Sequence, residues 1–481
     1  MESPLDYLVK MKIQRLRKRY PKFIYEKYSY DISKNNLEIL FNFEIPPDIK
    51  FRPKIVIQNI DKSNIKRARE KALNNLIFNL GLIEMVSYWK TTCSPEIEIL
   101  AGPLNKEQIT WWKDLMIKGL GQFFYENKID FLKSNFLKIS SLNRKAIQTN
   151  FNQQAIPDEN GGVLIPVGGG KDSIVTLELL KKSKKDIQCF SLNPTEAALK
   201  IMKMSGCKKP IIAYREIDKN LLKLNQKGFL NGHTPFSAYL AFLSVLIATI
   251  FGRKYIAFSN ERSSNEGNVK YMGKIINHQW SKSFEFEQKF RKYSKKYLTS
   301  TVEYFSFLRP LYEIQIAKLF NRHSKYFPFF LSCNEAYKTA SGTKLPDKKW
   351  CGECSKCLFV FAVLYPFLKK KELLKIFGKN LFNNKNLLPM MQQLTGERGF
   401  KPLECIGTKK ESLAAFYLSW KRDKELPPQK LPFLLNYFEA KILTKYPNLE
   451  KELKIIMDSW NNRHNLPGSF KKILQNNSKK V

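Results

Sequence analysis

The stretch Val163-Leu164-Ile165-Pro166-Val167-Gly168-Gly169-Gly170-Lys171-Asp172-Ser173 decides the fold. VLIPV is a continuous apolar run, as expected of a strand buried on both faces, and helical periodicity takes over from Ser173 to Lys182. The three glycines between them let the backbone approach an anion closely and aim successive N–H groups at it. The helix N-terminus adds partial positive charge, Ser173 stands where a cap is expected, and Lys171 supplies a mobile cation. The spacing fits neither G-x-x-x-x-G-K-[ST] nor G-x-G-x-x-G. It reads as a strand, a phosphate-binding turn and a helix.

Outward from this unit the same grammar repeats. IQCFSL (Ile187–Leu192), PIIAY (Pro210–Tyr214) and KYIAFS (Lys254–Ser259) read as further strands, with helices over Thr195–Met204 and Pro235–Phe251 between them. Apolar strands alternating with helices predict an α/β fold whose parallel sheet is covered on both faces and binds ligands at its carboxyl edge. Upstream, Asn36–Phe43 and Lys54–Gln58 read as strands. Ile65–Trp89 and Lys106–Tyr125 read as helices whose aromatics, Trp111, Trp112, Phe123 and Phe124, are expected to pack in a core. After Thr299 the pattern is mostly helical, and the end from Pro467 is expected to fray. The expected division is an N-terminal α+β domain over residues 1–155 contributing to substrate binding, a phosphate-binding α/β domain over 156–300, and a helical region over 301–481.

The 481 residues, 43% hydrophobic and 26% charged, exclude a disordered or collagen-like chain. Eighty-two basic against 43 acidic residues leave a formal charge of +39, which points to an anionic partner. Lysine outnumbers arginine about four to one, though, and arginine is the residue that forks onto phosphates and bases. The charge alone therefore favours an anionic small substrate as much as nucleic acid. Met1–Tyr20 has no apolar core and reads as no signal peptide. Pro235–Phe251, the longest uncharged apolar run, would reach roughly 25 Å as a helix, short of the ~30 Å of bilayer hydrocarbon. It reads as a buried helix of a cytoplasmic protein with no membrane span.

Cys351-x2-Cys354-x2-Cys357, with Cys333 upstream, has the spacing of a metal site in a reducing compartment. Four thiolates suit structural Zn²⁺, with an iron–sulfur cluster as the rival. Three further polar segments stand out. Asn231–Pro235 brings His233 to a helix start. Ser259–Asn268 follows the fourth strand and carries Asn260, Glu261, Arg262 and Glu266, and Asn277–Glu285 carries His278, Ser281 and Lys282. Leu394–Thr408 adds Arg398, Lys401 and Cys405, a thiol that is either reactive or a small buried hydrophobe.

Gly168–Ser173 resembles the S-G-G-x-D-S loop of the PP-loop ATP pyrophosphatases, with Gly168 in place of their serine. CGECSKC resembles the zinc knob of the queuosine-pathway nitrile synthases, another PP-loop family. With NGHTPFSA, SNERSSNEGN, HQWSKSFEFE and GERGFKPLECIGT, and the upstream GLIEMVSYWK and WWKDLMIKGLGQFFY, the chain is similar to the MurL family from about Ile55 to Glu411. That family comprises ATP-dependent UDP-N-acetylmuramoyl-L-alanyl-L-glutamate epimerases of peptidoglycan precursor synthesis. The resemblance implies an adenine-nucleotide α-hydrolase-like fold with a four-cysteine knob, ATP and Mg²⁺ as cofactors, a UDP-muramoyl dipeptide as substrate, and functional coupling to the ligase that adds L-glutamate.

The implied reaction adenylylates the terminal glutamate's carboxylate, converting ATP to AMP and diphosphate. Masking that charge lets the neighbouring Cα lose its proton, and a proton returned on the opposite face gives D-glutamate. Gly168, Gly169, Gly170, Lys171, Asp172 and Ser173 would then hold ATP. His233, His278, Glu261 and Cys405 are candidates for proton transfer, and Asn260, Arg262, Glu266, Ser281, Lys282, Arg398 and Lys401 for substrate contacts. A tRNA-modifying or other carboxylate- or carbonyl-adenylylating PP-loop enzyme is the alternative.

Overall fold

The computed structural model describes residues 4–142, 161–337, 350–426 and 430–478. Its centre is a sheet of eleven strands among the described residues. In chain order the strands are β1 (Lys22–Ser33), β2 (Asn36–Ile45), β3 (Ile49–Phe51), β4 (Lys54–Gln58), β5 (Glu96–Ile99), β6 (Lys138–Ser141), β7 (Val163–Pro166), β8 (Ile187–Leu192), β9 (Ile211–Glu216) and β10 (Tyr255–Phe258). A separate small hairpin, β11 (Val269–Tyr271) and β12 (Lys274–Ile276), precedes β13 (Glu303–Ser306). The spatial order is β13-β10-β7-β8-β9-β4-β2-β1-β5-β6, with β3 on β2.

From β13 to β9 all neighbours run parallel, so their carboxyl ends share one edge. The order reverses at β7, first of these strands in sequence but third in space, which is where such sheets open a crevice. β4 pairs antiparallel with both β9 and β2, joining the N-terminal strands to the same sheet. The sequence-based boundary at 155/156 lies outside the described residues. β1 and β2 form a hairpin whose turn residues Lys34 and Asn35 take φ of 49° and 59°, the left-handed pair that matches strand twist.

Alternation along the strands builds two cores. Leu164, Ile256 and Tyr304 point to one face, under the helices Glu70–Trp89, Lys106–Gly119 and Phe236–Ile250. Val163, Ile165, Ala257 and Phe305 point to the other, under the helices Lys171–Lys182, Glu313–Phe320 and Ser355–Leu364. Phe236–Ile250 is a buried core helix, as its sequence predicts, and no helix among the described residues is long and apolar enough to cross a membrane. Trp112, Phe123 and Phe124 are buried as expected, with Trp112 stacked on Phe242 at 5.1 Å.

Two expectations need correction. The mostly helical stretch after Thr299 begins with a strand, β13, because Glu303–Ser306 completes the edge beside β10. The C-terminus does not fray at Pro467. Gly468–Ser478 is a helix whose Phe470 and Leu474, four residues apart, are fully buried, Phe470 lying 4.8 Å from the Phe305 ring.

Candidate active site

The loop Val167–Gly170 carries the chain from β7 into the helix Lys171–Lys182. Gly169 sits at φ +93°, a conformation that calls for glycine. Gly168 is under no such constraint, since a Cβ there would meet nothing within 4 Å. Two further expectations change here. Ser173 is the third helical residue and donates back to the Gly170 carbonyl at 2.8 Å, so it caps no N–H and leaves the first helical donors to a ligand. Lys171 is no mobile charge. It is buried in an ion pair with Asp172 at 2.5 Å and a second with Glu313, because an ammonium shut away from water needs partners.

Over the carboxyl ends of β7 to β10 opens a cavity of about 980 Å³, at the upper end of the roughly 300–1,000 Å³ usual for ligand sites. Gly168, Gly170, Asp172 and Ser173 line it from one side and Asn260, Glu261 and Lys282 from another. Asp172, Glu261 and Glu313 bring carboxylate oxygens within 4.8 Å of one another, and Lys356 adds an ammonium 3.8 Å from Glu313. Burial would raise Glu313, but Lys171 and Lys356 outweigh it and hold the carboxyl below its ordinary range. Glu261 moves up through burial and the charges of Glu313 and Asp172. Arg309, fully buried, positions this wall: it donates to the Glu261 carbonyl at 2.6 Å and to the Lys282 carbonyl, while Glu287 balances its charge.

Lys282 joins the cavity to a second cluster. Its Nζ lies 3.1 Å from the Cys405 sulfur, and His278 Nε2 lies 3.6 Å from the same sulfur. His278 is held by a hydrogen bond between Nδ1 and Gln122, and its ring lies 4.5 Å from that of His233, tilted by 51°. Burial would raise the Cys405 thiol, but Lys282 and then His278 draw it down to about 5, making it a thiolate at neutral pH. Burial, then His278, Lys90 and Lys282, push His233 well below its ordinary value, leaving it neutral.

The structure thus brings His233, His278, Lys282 and Cys405 together, with Glu261 on the adjoining wall. Of the residues selected for substrate contacts, Asn260 and Lys282 line the cavity and the rest lie outside its lining. Arg262 stacks on Tyr312 at 4.3 Å, and Glu266 pairs with the buried Lys401 at 3.3 Å and accepts from the Lys409 N–H. Asn260 lines the cavity and donates to Ser306 Oγ at 3.1 Å. Ser281 is buried in the turn Trp280–Lys282, and Arg398 is exposed. Glu313, Lys356, Arg309 and Gln122 were not selected from the sequence.

Cys333, Cys351, Cys354 and Cys357 gather with all four sulfurs within 4.8 Å, close to the ~3.8 Å edge of a tetrahedron with Zn–S bonds of about 2.3 Å. Gly352 takes φ +68°, and the Glu353 and Cys357 N–H groups donate to the Cys351 and Cys354 sulfurs at 3.4 Å, so the turn aims the sulfurs at one centre. This knob touches both halves of the site. The Leu331 N–H, two residues before Cys333, donates to the Gly169 carbonyl at 2.9 Å. Ser355 Oγ and the Lys356 N–H both hold the Glu404 carboxylate, and Lys356 Nζ donates to the Cys405 carbonyl.

A family model for the MurL N-terminal domain matches residues 14–307, and one for the MurL C-terminal domain matches residues 329–432. Three curated relatives carry the name UDP-N-acetyl-alpha-D-muramoyl-L-alanyl-L-glutamate epimerase. The protein from a Micromonospora species is 32% identical over 85% of this chain and 88% of its own length. That of Salinispora tropica is 33% identical over 83% and 85%, and that of Xanthomonas oryzae pv. oryzae 31% identical over 74% and 78%.

Proposed function

The chain belongs to the MurL family, and on that footing we propose that it inverts the terminal L-glutamate of UDP-MurNAc-L-Ala-L-Glu after activating a glutamate carboxylate with ATP. One observation carries the reading: Lys282 lines the cavity entered by the glycine loop and lies 3.1 Å from the Cys405 thiolate, so activation and proton transfer share a wall.

The glutamate carboxylate attacks the α-phosphorus of ATP, the bond to the β-phosphate oxygen breaks, and diphosphate leaves. The donors at the start of the helix Lys171–Lys182 receive the departing phosphates. Asp172, Glu261 and Glu313 would hold Mg²⁺ with hard oxygen ligands, and the ion would supply positive charge to the phosphates. The acyl adenylate formed carries no carboxylate charge, so the α-proton can pass to a base while the acyl group delocalises the electron pair. Cys405 as thiolate and His233 as neutral imidazole are both competent to accept it. With His233 as the base, the Lys282 ammonium, which lines the cavity beside Cys405 and against burial is held protonated by Cys405 and Glu261, can return a proton to Cα from the opposite face. Water then splits the acyl–phosphate bond to release AMP and the D-glutamyl product. The cysteine knob, with four protein ligands and no open position, fits a structural Zn²⁺.

The test is incubation with ATP, Mg²⁺ and the L,L-substrate, followed by chiral analysis of the glutamate. D-Glutamate in step with AMP is expected, and solvent deuterium should enter Cα only when ATP is present. AMP formation without inversion would overturn the proposal.

A further inference from the structure

Ser87 and Lys90, at the end of the helix Glu70–Trp89, share one corner of the cavity with Arg215 of β9, two strands away from the glycine loop. Arg215 has its counter-charge. Its Nε and Nη2 grip the buried Glu84 carboxylate at 2.8–3.0 Å, and Nη2 also reaches Ser87 Oγ at 2.8 Å. Lys90 has none. It is 6% exposed, its ammonium donates to the Gly232 carbonyl beside His233, and no carboxylate among the described residues lies within ion-pairing distance. An ammonium buried without a partner is costly, and here burial and then Arg215 push Lys90 down to about 7 while Glu126 pulls weakly the other way. His233, which also faces Lys90, is neutral. Glu126 acts on Lys90 only from beyond ion-pairing distance, so no anion among the described residues touches this ammonium, and the wall that carries it lines the cavity.

We infer that Lys90, backed by Arg215 and Ser87, is an oxyanion subsite that receives a phosphate or carboxylate group of a bound reactant, separate from the glycine loop. This rests on the reading that ATP and the muramoyl peptide meet in this cavity. The arriving anion supplies the missing charge, so a Lys90 amine that is part neutral at pH 7.5 takes up a proton from solvent as the ligand binds.

The full chain is titrated at pH 7.5 with α,β-methylene-ATP and Mg²⁺, with UDP-MurNAc-L-Ala-L-Glu, and with UDP-MurNAc-L-Ala, in buffers of different ionisation enthalpy. Lys90→Gln keeps a donor for the Gly232 carbonyl and is expected to weaken the ligand that docks here at least tenfold and to abolish its proton uptake. Loss confined to the ATP analogue assigns a nucleotide phosphate. Loss confined to the dipeptide assigns the glutamate carboxylate, and equal loss for both muramoyl compounds assigns the UDP diphosphate. In the wild-type protein the same ligand should slow reductive methylation of Lys90, a readout that decides the matter even if the variant unfolds. Affinities within twofold of wild type, or no protection of Lys90 by any bound ligand, would overturn the subsite. A wild-type chain that binds none of the three ligands would sink the parent reading instead.

Discussion

On the proposed reading, Cys405 is the residue on which most of the site's chemistry turns. Its thiol is drawn to about 5, chiefly against burial and by Lys282, whereas an ordinary thiol titrates near about 8.5. Alkylation by iodoacetamide should therefore rise through a midpoint near about 5, and Lys282→Met should move that midpoint upward. A wild-type midpoint above about 8 would remove the thiolate. At Gly169 the φ of +93° predicts a loss of about 1–3 kcal/mol in Gly169→Ala, read by denaturant unfolding. Gly168→Ser should fold as well as the wild type, since space for the side chain is open. At this scale the sequence exposed some parts and hid others. Glycines and a CxxCxxC spacing are legible because they constrain local geometry. Glu313 and Arg309 bear no local mark. Their roles arise from a buried lysine needing a counter-ion and from two carbonyls needing a donor, partners 142 and 48 residues away along the chain.

At the scale of elements, periodicity named the strands β7 to β10 because their apolar runs are buried on both faces. It missed β1, whose outer half alternates partly and fully exposed residues and so lacks that signal. It also missed the helix Gly468–Ser478, where two buried side chains sit among lysines and asparagines. The cysteine knob is legible as a motif, but not its contacts: the Leu331 N–H holds the Gly169 carbonyl, and Ser355 and Lys356 hold Glu404. Cys354→Ser should accordingly release about one zinc per chain and speed amide exchange both at Leu331 and around Cys405. Unchanged metal content, or faster exchange confined to the knob itself, would contradict that linkage.

For the whole molecule, the unforeseen fact is the antiparallel pairing of β4 with β9. The sequence shows where strands lie, but strand-to-strand partners separated by more than a hundred residues leave no periodic trace. Because the helices Glu70–Trp89 and Phe236–Ile250 also pack face to face, a chain beginning at Gly161 would bare both a sheet edge and an apolar helix. That truncation should be insoluble or lack a cooperative melting transition, and a soluble, cooperatively melting product would refute the prediction. All eleven strands of the sheet and the glycine loop fall within residues 14–307, while Glu313, Lys356 and Cys405 come from beyond them. The N-terminal and C-terminal parts of the chain therefore act as an interlock. On the mechanism proposed above, a mixed anhydride formed at the glycine loop would meet the Cys405 thiolate only while the C-terminal part is seated, so slippage between them would stall the first step and leave no reactive ester stranded in water.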